Sequence, residues 1–119
     1  MKTLLLFGAI ALSINVFGQN IKTVKIGNLE VMKKDLGEMD WYDAKKACAE
    51  LGDGWRLPTK NELSFLYENK AKIGGFSDSY YWSSTEADSD GAWIQYFSDG
   101  FQANFTLNTE GFVRAIRPL

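Results

Sequence analysis

The sequence predicts an α+β fold with an N-terminal hairpin, two amphipathic helices, and then a curled antiparallel sheet. Near the start, apolar and polar residues alternate on both sides of a Gly-Asn pair, which is typical of a β-hairpin. Between residues 41 and 70 the apolar residues recur at helical spacing, which indicates helices with one buried face. From Tyr80 onward, aromatic and β-branched runs are separated by turn clusters, which indicates strands.

The hairpin is predicted over Lys22–Met32, with Gly27-Asn28 as its two-residue turn. Glycine is favoured there because it adopts the positive φ that such tight turns require. The polar segment that follows, Lys33–Glu38, is predicted to connect the hairpin to the first helix.

The first helix is predicted to run from Trp41 to Leu51 and to stop at Gly52. Asp40 is a natural N-cap, and Asp43 places a negative charge at the positive end of the helix dipole. The apolar stripe that should face the core consists of Trp41, Ala44, Ala47, Cys48 and Leu51.

The second helix begins within the stretch Gly54–Lys70, which carries the clearest helix-start signals in the chain. Pro58 favours an extended conformation in the residue before it. Thr59 and Glu62 then form a capping box, in which each side chain accepts a hydrogen bond from the backbone N–H of the other residue. The predicted buried stripe consists of Leu63, Leu66 and Tyr67.

Four strands are predicted in the C-terminal part of the chain, with turn clusters such as Asp90-Gly91 and Asp99-Gly100 between them. The predicted strands are Tyr80–Ser84, Ala92–Phe97, Gln102–Leu107 and Phe112–Arg117. Because consecutive strands joined by short turns usually pair with each other, we expect an antiparallel meander.

Residues 1–18 are predicted to be a signal peptide, and residues 19–119 a single domain. Lys2 precedes an apolar segment of secretory length, and the predicted cleavage site follows Gly18. A retained membrane anchor is the alternative, but the segment is shorter than the ~20 apolar residues that a spanning helix needs. We therefore expect an exported protein, periplasmic or extracellular, with no membrane insertion after cleavage.

The composition argues against several classes of function. The formal net charge of −2 gives no basis for binding nucleic acid or anionic membranes. The sequence has no histidine, the commonest general base and metal ligand. Its one cysteine, Cys48, is expected to be a small buried apolar residue rather than a reactive thiol. We expect no enzyme activity, no catalytic residue, no metal and no cofactor.

Five motifs follow one another along the chain. They are IGNLEVMKKDL (Ile26–Leu36), the helix carrying Trp41, Ala44 and Cys48, GWRLPTKNEL (Gly54–Leu63), YWSST (Tyr81–Thr85) and the closing strand Val113–Arg117. Together they resemble a bacterial branch of the C-type-lectin-like fold, namely the Fibrobacter succinogenes major paralogous domain and the C-terminal domain of Legionella collagen-like proteins. The resemblance covers essentially all of residues 22–117. It implies a C-type-lectin-like scaffold, which commonly serves recognition rather than catalysis.

The formylglycine-generating enzymes are more distantly similar, through the segment Arg56–Thr59. Their chemistry uses a pair of cysteines, whereas this chain has Cys48 alone, so the oxidase activity is not implied. The sugar site of calcium-dependent C-type lectins uses a Glu-Pro-Asn or Gln-Pro-Asp motif. Neither Pro58 nor Pro118 lies in such a motif, so this site is not implied either.

Glu86, Asp88 and Asp90 form the most suggestive acidic cluster. Oxygen-bearing residues at alternate positions before Gly91 resemble the first half of a calcium loop. However, the first position is Glu rather than Asp, and Phe97 stands where a bidentate carboxylate would be required. A solvated hairpin tip is therefore favoured over a calcium site, because Asp and Gly are turn residues.

Trp93, Tyr96 and Phe101 are the aromatic candidates for ligand binding. Alternation places Trp93 on one face of its strand and Tyr96 on the other, so one set of rings is expected to be exposed. An exposed ring can stack on a sugar or contact a protein. Core packing is the favoured alternative, and it is the simplest interpretation of Trp55 and Trp82.

The arginines at positions 56, 114 and 117 are a further candidate site, for an anionic ligand. Pairing with Glu62 or Glu86 inside the fold is favoured, because a semi-buried arginine normally finds a carboxylate.

The sequence as a whole favours an exported, non-catalytic binding or adhesion module that recognises a glycan or a cell-surface protein. The tentative ligand contacts are Trp93, Tyr96, Phe101, Glu86, Asp88 and Asp90. The alternative is a structural or self-associating envelope subunit. A hydrolase using paired carboxylates is the third hypothesis.

Overall fold

The computed structural model describes residues 11–16 and 19–119, with side chains from Ile21 onward. The described residues form a four-stranded sheet, a five-stranded sheet and three helices. The strands are β1 (Ala11–Val16), β2 (Gln19–Ile26), β3 (Leu29–Met32), β4 (Gly37–Met39), β5 (Tyr80–Asp88), β6 (Gly91–Tyr96), β7 (Gln102–Thr106), β8 (Gly111–Val113) and β9 (Ile116–Pro118). The helices are α1 (Trp41–Ala49), α2 (Lys60–Glu68) and α3 (Lys70–Ile73). The predicted α+β arrangement is confirmed.

The four-stranded sheet has the order β1-β2-β3-β9 and contains the predicted N-terminal hairpin. Ile26 pairs with Leu29, so Gly27 and Asn28 form a two-residue turn, and Gly27 has a φ of 56°. A positive φ at the first of the two turn residues is the geometry in which glycine is favoured. The hairpin and its turn are therefore confirmed.

The predicted signal peptide lies partly outside the described residues. Residues 1–10, 17 and 18, and with them the predicted cleavage site, are not described. Ala11–Val16 forms β1, which pairs antiparallel with β2 from Val16↔Gln19 to Ala11↔Val24. The signal peptide stays a prediction. Across the described ranges, no helix has the length and apolarity that a membrane span requires.

Both predicted helices form close to their expected positions. Asp40 caps α1 by accepting a hydrogen bond from the backbone N–H of Asp43, as predicted. The capping box of Thr59 and Glu62 is complete at the start of α2. The second helix ends at Glu68, inside the stretch with predicted helical spacing, and it is followed by the short α3, which the sequence analysis did not predict.

The five-stranded sheet has the order β4-β8-β5-β6-β7. The meander is confirmed for β5, β6 and β7, which pair antiparallel through Tyr80↔Tyr96 and Ala92↔Phe105, among other pairs. It is wrong for the last strand, because β8 does not pair with β7. Instead, β8 lies between β4 and β5 and runs parallel to β5 at Tyr81↔Phe112. The segment predicted to be a connector also contributes β4.

The predicted strand Phe112–Arg117 is in fact divided between the two sheets, as β8 and β9. The reason lies at Arg114, which is fully buried between them. Its guanidinium donates hydrogen bonds to the backbone oxygens of Met32, Gly74 and Gly75. These bonds fix the backbone at the crossing, since a buried arginine must satisfy its donors.

Two hydrophobic cores divide the helices between them. The first core contains α1 residues together with Trp55 and Trp82, which are buried as predicted. The second core contains Leu63 and Leu66 of α2, packed with Tyr81. Tyr81 and Trp82 are successive residues of β5, and successive side chains on a strand point to opposite sides. One face of β5 therefore packs in the first core and the other face in the second.

Candidate functional site

An aromatic cluster lies on one face of the five-stranded sheet, and we call it the aromatic patch. It consists of Tyr80, Tyr96, Phe101 and Phe105. Ring centroids are 5.4 Å apart for Tyr80 and Tyr96, and 4.9 Å apart for Tyr80 and Phe105. Phe101 extends the cluster, with its ring centroid 6.4 Å from that of Tyr96. These separations are those of rings in edge or tilted contact.

Strand register explains how residues distant in sequence come together here. Tyr80 on β5 pairs with Tyr96 on β6, and Ile94 on β6 pairs with Ala103 on β7. Paired residues share a face of the sheet. The aromatic patch therefore lies on the same face as the sheet residues of the first core, next to them. The small side chain of Ala103 lies between larger ones on that face. The patch is thus an outward extension of the core rather than a separate cluster.

The outer end of the patch faces solvent. Phe101 is 62% exposed, and the other three rings are partly buried against the first core. The Tyr80 hydroxyl donates to the backbone oxygen of Glu110 at 2.9 Å, which fixes that ring. Partial burial, and then the negative charge of Glu38, raise the pKa of Tyr80, so its hydroxyl stays a neutral donor. The arrangement offers rigid rings with polar tips, which suits contact with an amphipathic ligand.

Trp93 lies on the opposite face of the same sheet, as alternation predicts. It pairs with Asn104, and the Lys60 ammonium lies 3.5 Å from its ring centroid. A cation over an indole face is attracted to the ring and covers it. The structure thus brings Tyr96 and Phe101 together but places Trp93 elsewhere, under a lysine.

The acidic candidates lie at the tip of the β5–β6 hairpin, and all three are exposed. Asp88 accepts hydrogen bonds from the Asp90 backbone N–H and the Asn104 side-chain amide. The Asp90 N–H, and then the Asn104 amide, lower the pKa of Asp88. Its carboxylate therefore acts as a turn-forming acceptor. Over the ranges 11–16 and 19–119, no three His, Cys, Asp or Glu residues are grouped as a metal site would require.

The three arginine candidates all pair inside the fold. Arg56 forms a two-pronged pair with Glu62, at 2.8 and 3.0 Å, as predicted. Arg114 pairs with Asp35 at 2.8 Å. Arg117 pairs at 2.9 Å with Glu30, a residue that is itself buried. The expectation of internal pairing is confirmed, although the prediction of Glu86 as a partner is wrong.

A cavity of about 590 Å³ beside the hairpin is the site that the sequence did not predict. Its lining includes Lys22, Lys33 and Lys34, together with Asp35 and apolar residues. The three lysines are exposed, while Asp35 is held by Arg114 and by the Tyr81 hydroxyl. Two of the lysines are adjacent in sequence, and Lys33 N bonds to Lys22 O across the hairpin, which brings the third alongside. The predicted hairpin could have indicated this cavity, because the two ends of a hairpin lie close together and its ends here carry lysines.

Cys48 shows no sign of a reactive thiol. Its side chain is fully buried in the first core, and burial raises its pKa to about 12. A thiolate is the nucleophilic form, so a raised pKa makes the sulfur inert. The prediction that Cys48 is a small buried apolar residue is confirmed.

A family model described as the Lcl C-terminal domain matches residues 20–117. The match includes strands β2 to β9 except the first residue of β2 and the last of β9, together with all three helices and every residue of the aromatic patch. A search of curated proteins found no match.

Proposed function

This chain belongs to the Lcl C-terminal domain family, and we propose on that premise that it is an exported, non-catalytic binding domain. Its ligand is a glycan or a surface protein, and its contact surface is the aromatic patch. The earlier resemblance to the C-terminal domain of Legionella collagen-like proteins is confirmed by this family match.

The single observation that carries the proposal is the exposure of Phe101 beside three ordered rings. An exposed phenylalanine loses contact with water when a ligand covers it, which releases about 25 cal/mol per Å² of apolar surface. Its neighbours Tyr80 and Tyr96 are already held by ring contacts, so binding orders few further side chains. Rigid aromatic rings with polar tips are favoured at recognition surfaces for this reason.

The non-catalytic part of the proposal rests on the groups that catalysis would need. The sequence has no histidine, and the Cys48 thiol is buried with a raised pKa. A general acid needs a raised pKa, whereas the pKa of Asp88 is lowered by its turn contacts. Asp88, Glu86 and Asp90 stand exposed on a hairpin tip rather than in an enclosed site.

A second candidate contact is the lysine-lined cavity. Lys22, Lys33 and Lys34 line a cavity whose volume of about 590 Å³ lies within the usual range of small-molecule sites. Such a cavity favours an anionic group, and its contribution would fall as salt screens the charges. Contact through the aromatic patch would depend far less on ionic strength.

A thermal-shift panel tests the proposal with neutral and acidic glycans at low and high salt. A ligand at 100 times its dissociation constant stabilises the folded state by about 2.7 kcal/mol, which raises the melting temperature by several degrees. We expect a shift that Phe101→Ser abolishes and that Tyr42→Ser leaves intact. Tyr42 is the matched control, because it is a 61% exposed aromatic residue on α1.

The variants and the salt series distinguish the two contacts. A rise in melting temperature that remains in Phe101→Ser but disappears in Lys33→Ser or at high salt would indicate that the ligand binds in the lysine-lined cavity and not at the aromatic patch. A panel without any shift would count against a glycan ligand and leave a surface protein as the partner to be tested.

A further inference from the structure

Strand β7 forms one end of the five-stranded sheet and has an open outer edge. In the order β4-β8-β5-β6-β7, the part of the chain that the structure describes supplies no strand beyond β7. Its five residues, Gln102–Thr106, include no charge and no proline, and its pairing with β6 runs without a bulge. Natural sheets usually protect such edges with charges, prolines, bulges or very short strands. This edge has none of these protections.

Two hydrogen bonds establish which backbone groups of β7 point outward. The backbone N–H of Tyr96 donates to Phe101 O at 2.8 Å, and that of Leu107 donates to Asp90 O at 3.0 Å. Phe101 and Leu107 therefore direct their backbone groups toward β6. In an antiparallel strand the direction alternates, so residues 102, 104 and 106 direct theirs away from the sheet.

The outward groups are mostly unused within the described chain. Thr106 O accepts a hydrogen bond from the Thr109 N–H, and it retains a second lone pair. The backbone groups of Gln102 and Asn104 lie on the open side, where residues 11–16 and 19–119 provide no neighbouring strand to bond with them.

The remaining sheet edges differ from β7. Strands β4 and β9 have three residues each, and β9 is also bridged by Arg56 at Ile116. Strand β1, the edge next to β2, is also uncharged, but it lies within the predicted signal peptide. Without β1 the edge would be β2, which carries the exposed Lys22 and Lys25. Within residues 19–119, the open edge of β7 thus combines length with neutrality in a way that the other edges do not.

We propose that β7 pairs antiparallel with β7 of a second copy of this chain, about a two-fold axis at Asn104. In this register Asn104 faces its own equivalent, and Gln102 faces Thr106 of the second copy. All three outward-facing residues are then paired, which gives about six backbone hydrogen bonds at two for each pair. A register shifted by two residues along the strand leaves one of the three facing a residue outside β7.

The side chains favour the same register. On the patch side, Phe105 faces the small Ala103 of the second copy, and this large–small match occurs twice by symmetry. On the opposite side, Asn104 and the Gln102–Thr106 pairs are polar and uncharged, so no two like charges occupy facing positions of the two strands, and each Asp88 carboxylate is held by the amide of its own Asn104. A self-complementary surface of this kind is what a two-fold interface requires.

The pairing goes beyond the proposed binding function and stands independently of it. It joins two five-stranded sheets into one and places both aromatic patches on the same face. Two linked patches would bind a repeating ligand with higher avidity than one patch.

Charge variants at the axis provide the test. Residue 104 meets itself, so Asn104→Lys and Asn104→Glu each place like charges in direct contact. We expect sedimentation equilibrium to show a dimer for the purified protein and at least a tenfold weaker dimer for each variant. An equimolar mixture of the two variants should restore the dimer, because lysine then faces glutamate.

Both variants also remove the Asn104 amide that bonds to Asp88, so circular dichroism verifies that each remains folded. A mixture that stays monomeric would overturn the proposal, as would a monomeric parent protein at high micromolar concentration.

Cross-linking supplies an independent readout. In a hydrogen-bonded antiparallel pair the Cα atoms are about 5.5 Å apart, which is within the range of a disulfide. Asn104→Cys should therefore form a dimer in mild oxidant, whereas Ser89→Cys, at the exposed hairpin tip, should form much less. Equal cross-linking of the two variants would contradict the pairing.

Discussion

Arg114 illustrates how one buried charge organises three segments of the chain. Its guanidinium is fully buried, pairs with Asp35 at 2.8 Å, and lies 3.9 Å from the Phe76 ring centroid. The Tyr81 hydroxyl donates to the other Asp35 oxygen and accepts from the Ser77 N–H. Burial is the main cause of a strongly raised pKa at Tyr81, so this hydroxyl remains protonated and able to donate. Asp35 is therefore the counter-charge on which the network depends.

We predict that Asp35→Asn lowers the free energy of unfolding by about 3 kcal/mol, since it leaves a buried arginine without its counter-charge. Urea unfolding followed by fluorescence measures the change. Asp78→Asn is the control, because Asp78 is exposed and should change stability by less than about 0.5 kcal/mol. Equal, small effects of the two substitutions would show that the pair does not stabilise the fold.

Cys48 gives a second prediction at this scale. Because the thiol is fully buried and its pKa is raised to about 12, a thiol reagent should not modify the native protein at neutral pH. In denaturant the reaction should be complete within minutes. Rapid modification of the native protein would contradict the burial of this side chain.

Ion pairing was only partly predictable from the sequence. Arg56 and Glu62 are six residues apart across a helix start, so local geometry alone brings them together. Arg114 and Asp35 are 79 residues apart, and Arg117 and Glu30 are 87 apart. Their meeting depends on which strands are neighbours, and local patterns do not contain that information.

At the scale of elements, Glu62 at the start of α2 has two roles: it belongs to the capping box, and its carboxylate titrates while paired with Arg56. The hydrogen bond from Arg56 is the main reason that the pKa of Glu62 is lowered from its ordinary value of 4.5. The Thr59 backbone N–H lowers it further. Because the pKa of Glu62 is lower in the folded state, its contribution to stability is complete at a pH above its pKa in the unfolded state. The contribution is lost as the pH falls through its pKa in the folded state.

We predict that the free energy of unfolding declines below about pH 4.5 and that Glu62→Gln makes this decline shallower. The difference should be about 0.5 kcal/mol, because the Arg56–Glu62 pair is partly exposed. Urea unfolding between pH 3 and pH 7 measures it. Thr59→Ala is the comparison: it should cost about 1 kcal/mol at neutral pH and change the pH profile less than Glu62→Gln does, because the Thr59 hydroxyl is the smallest of the contacts that lower the pKa of Glu62. An unchanged pH profile in Glu62→Gln would contradict this role.

Elements defined by local signals were predicted well. The turn at Gly27, the caps at Asp40 and Thr59, and the β5–β6–β7 meander all formed as expected. The division of the last strand was missed, because alternation continues through Arg114 while its buried hydrogen bonds move the chain from one sheet to the other. The parallel pairing of β8 with β5 was missed for a related reason, since no short turn connects them.

At the scale of the whole molecule, the two cores leave one side of the sheet incompletely covered. Helix α1 contributes to the first core, and the aromatic patch extends that core outward to solvent. The sequence identified Tyr96 and Phe101 as candidates, and strand alternation correctly separated Trp93 from Tyr96. It did not identify Tyr80 and Phe105 as their neighbours, because that contact depends on strand register and on the curl of the sheet. Nor did it predict that Lys60, at the start of α2, covers Trp93.

The measurement that tests the central claim most directly is binding of the labelled protein to a glycan array and to intact cells. The comparison is between the parent protein, Phe101→Ser and Tyr42→Ser. Both substitutions replace aromatic residues of nearly equal exposure, 62% and 61%, so both should leave stability almost unchanged. If the aromatic patch is the recognition surface, Phe101→Ser loses binding at least tenfold while Tyr42→Ser binds like the parent. Equal binding by all three proteins would contradict the assignment of function to the patch.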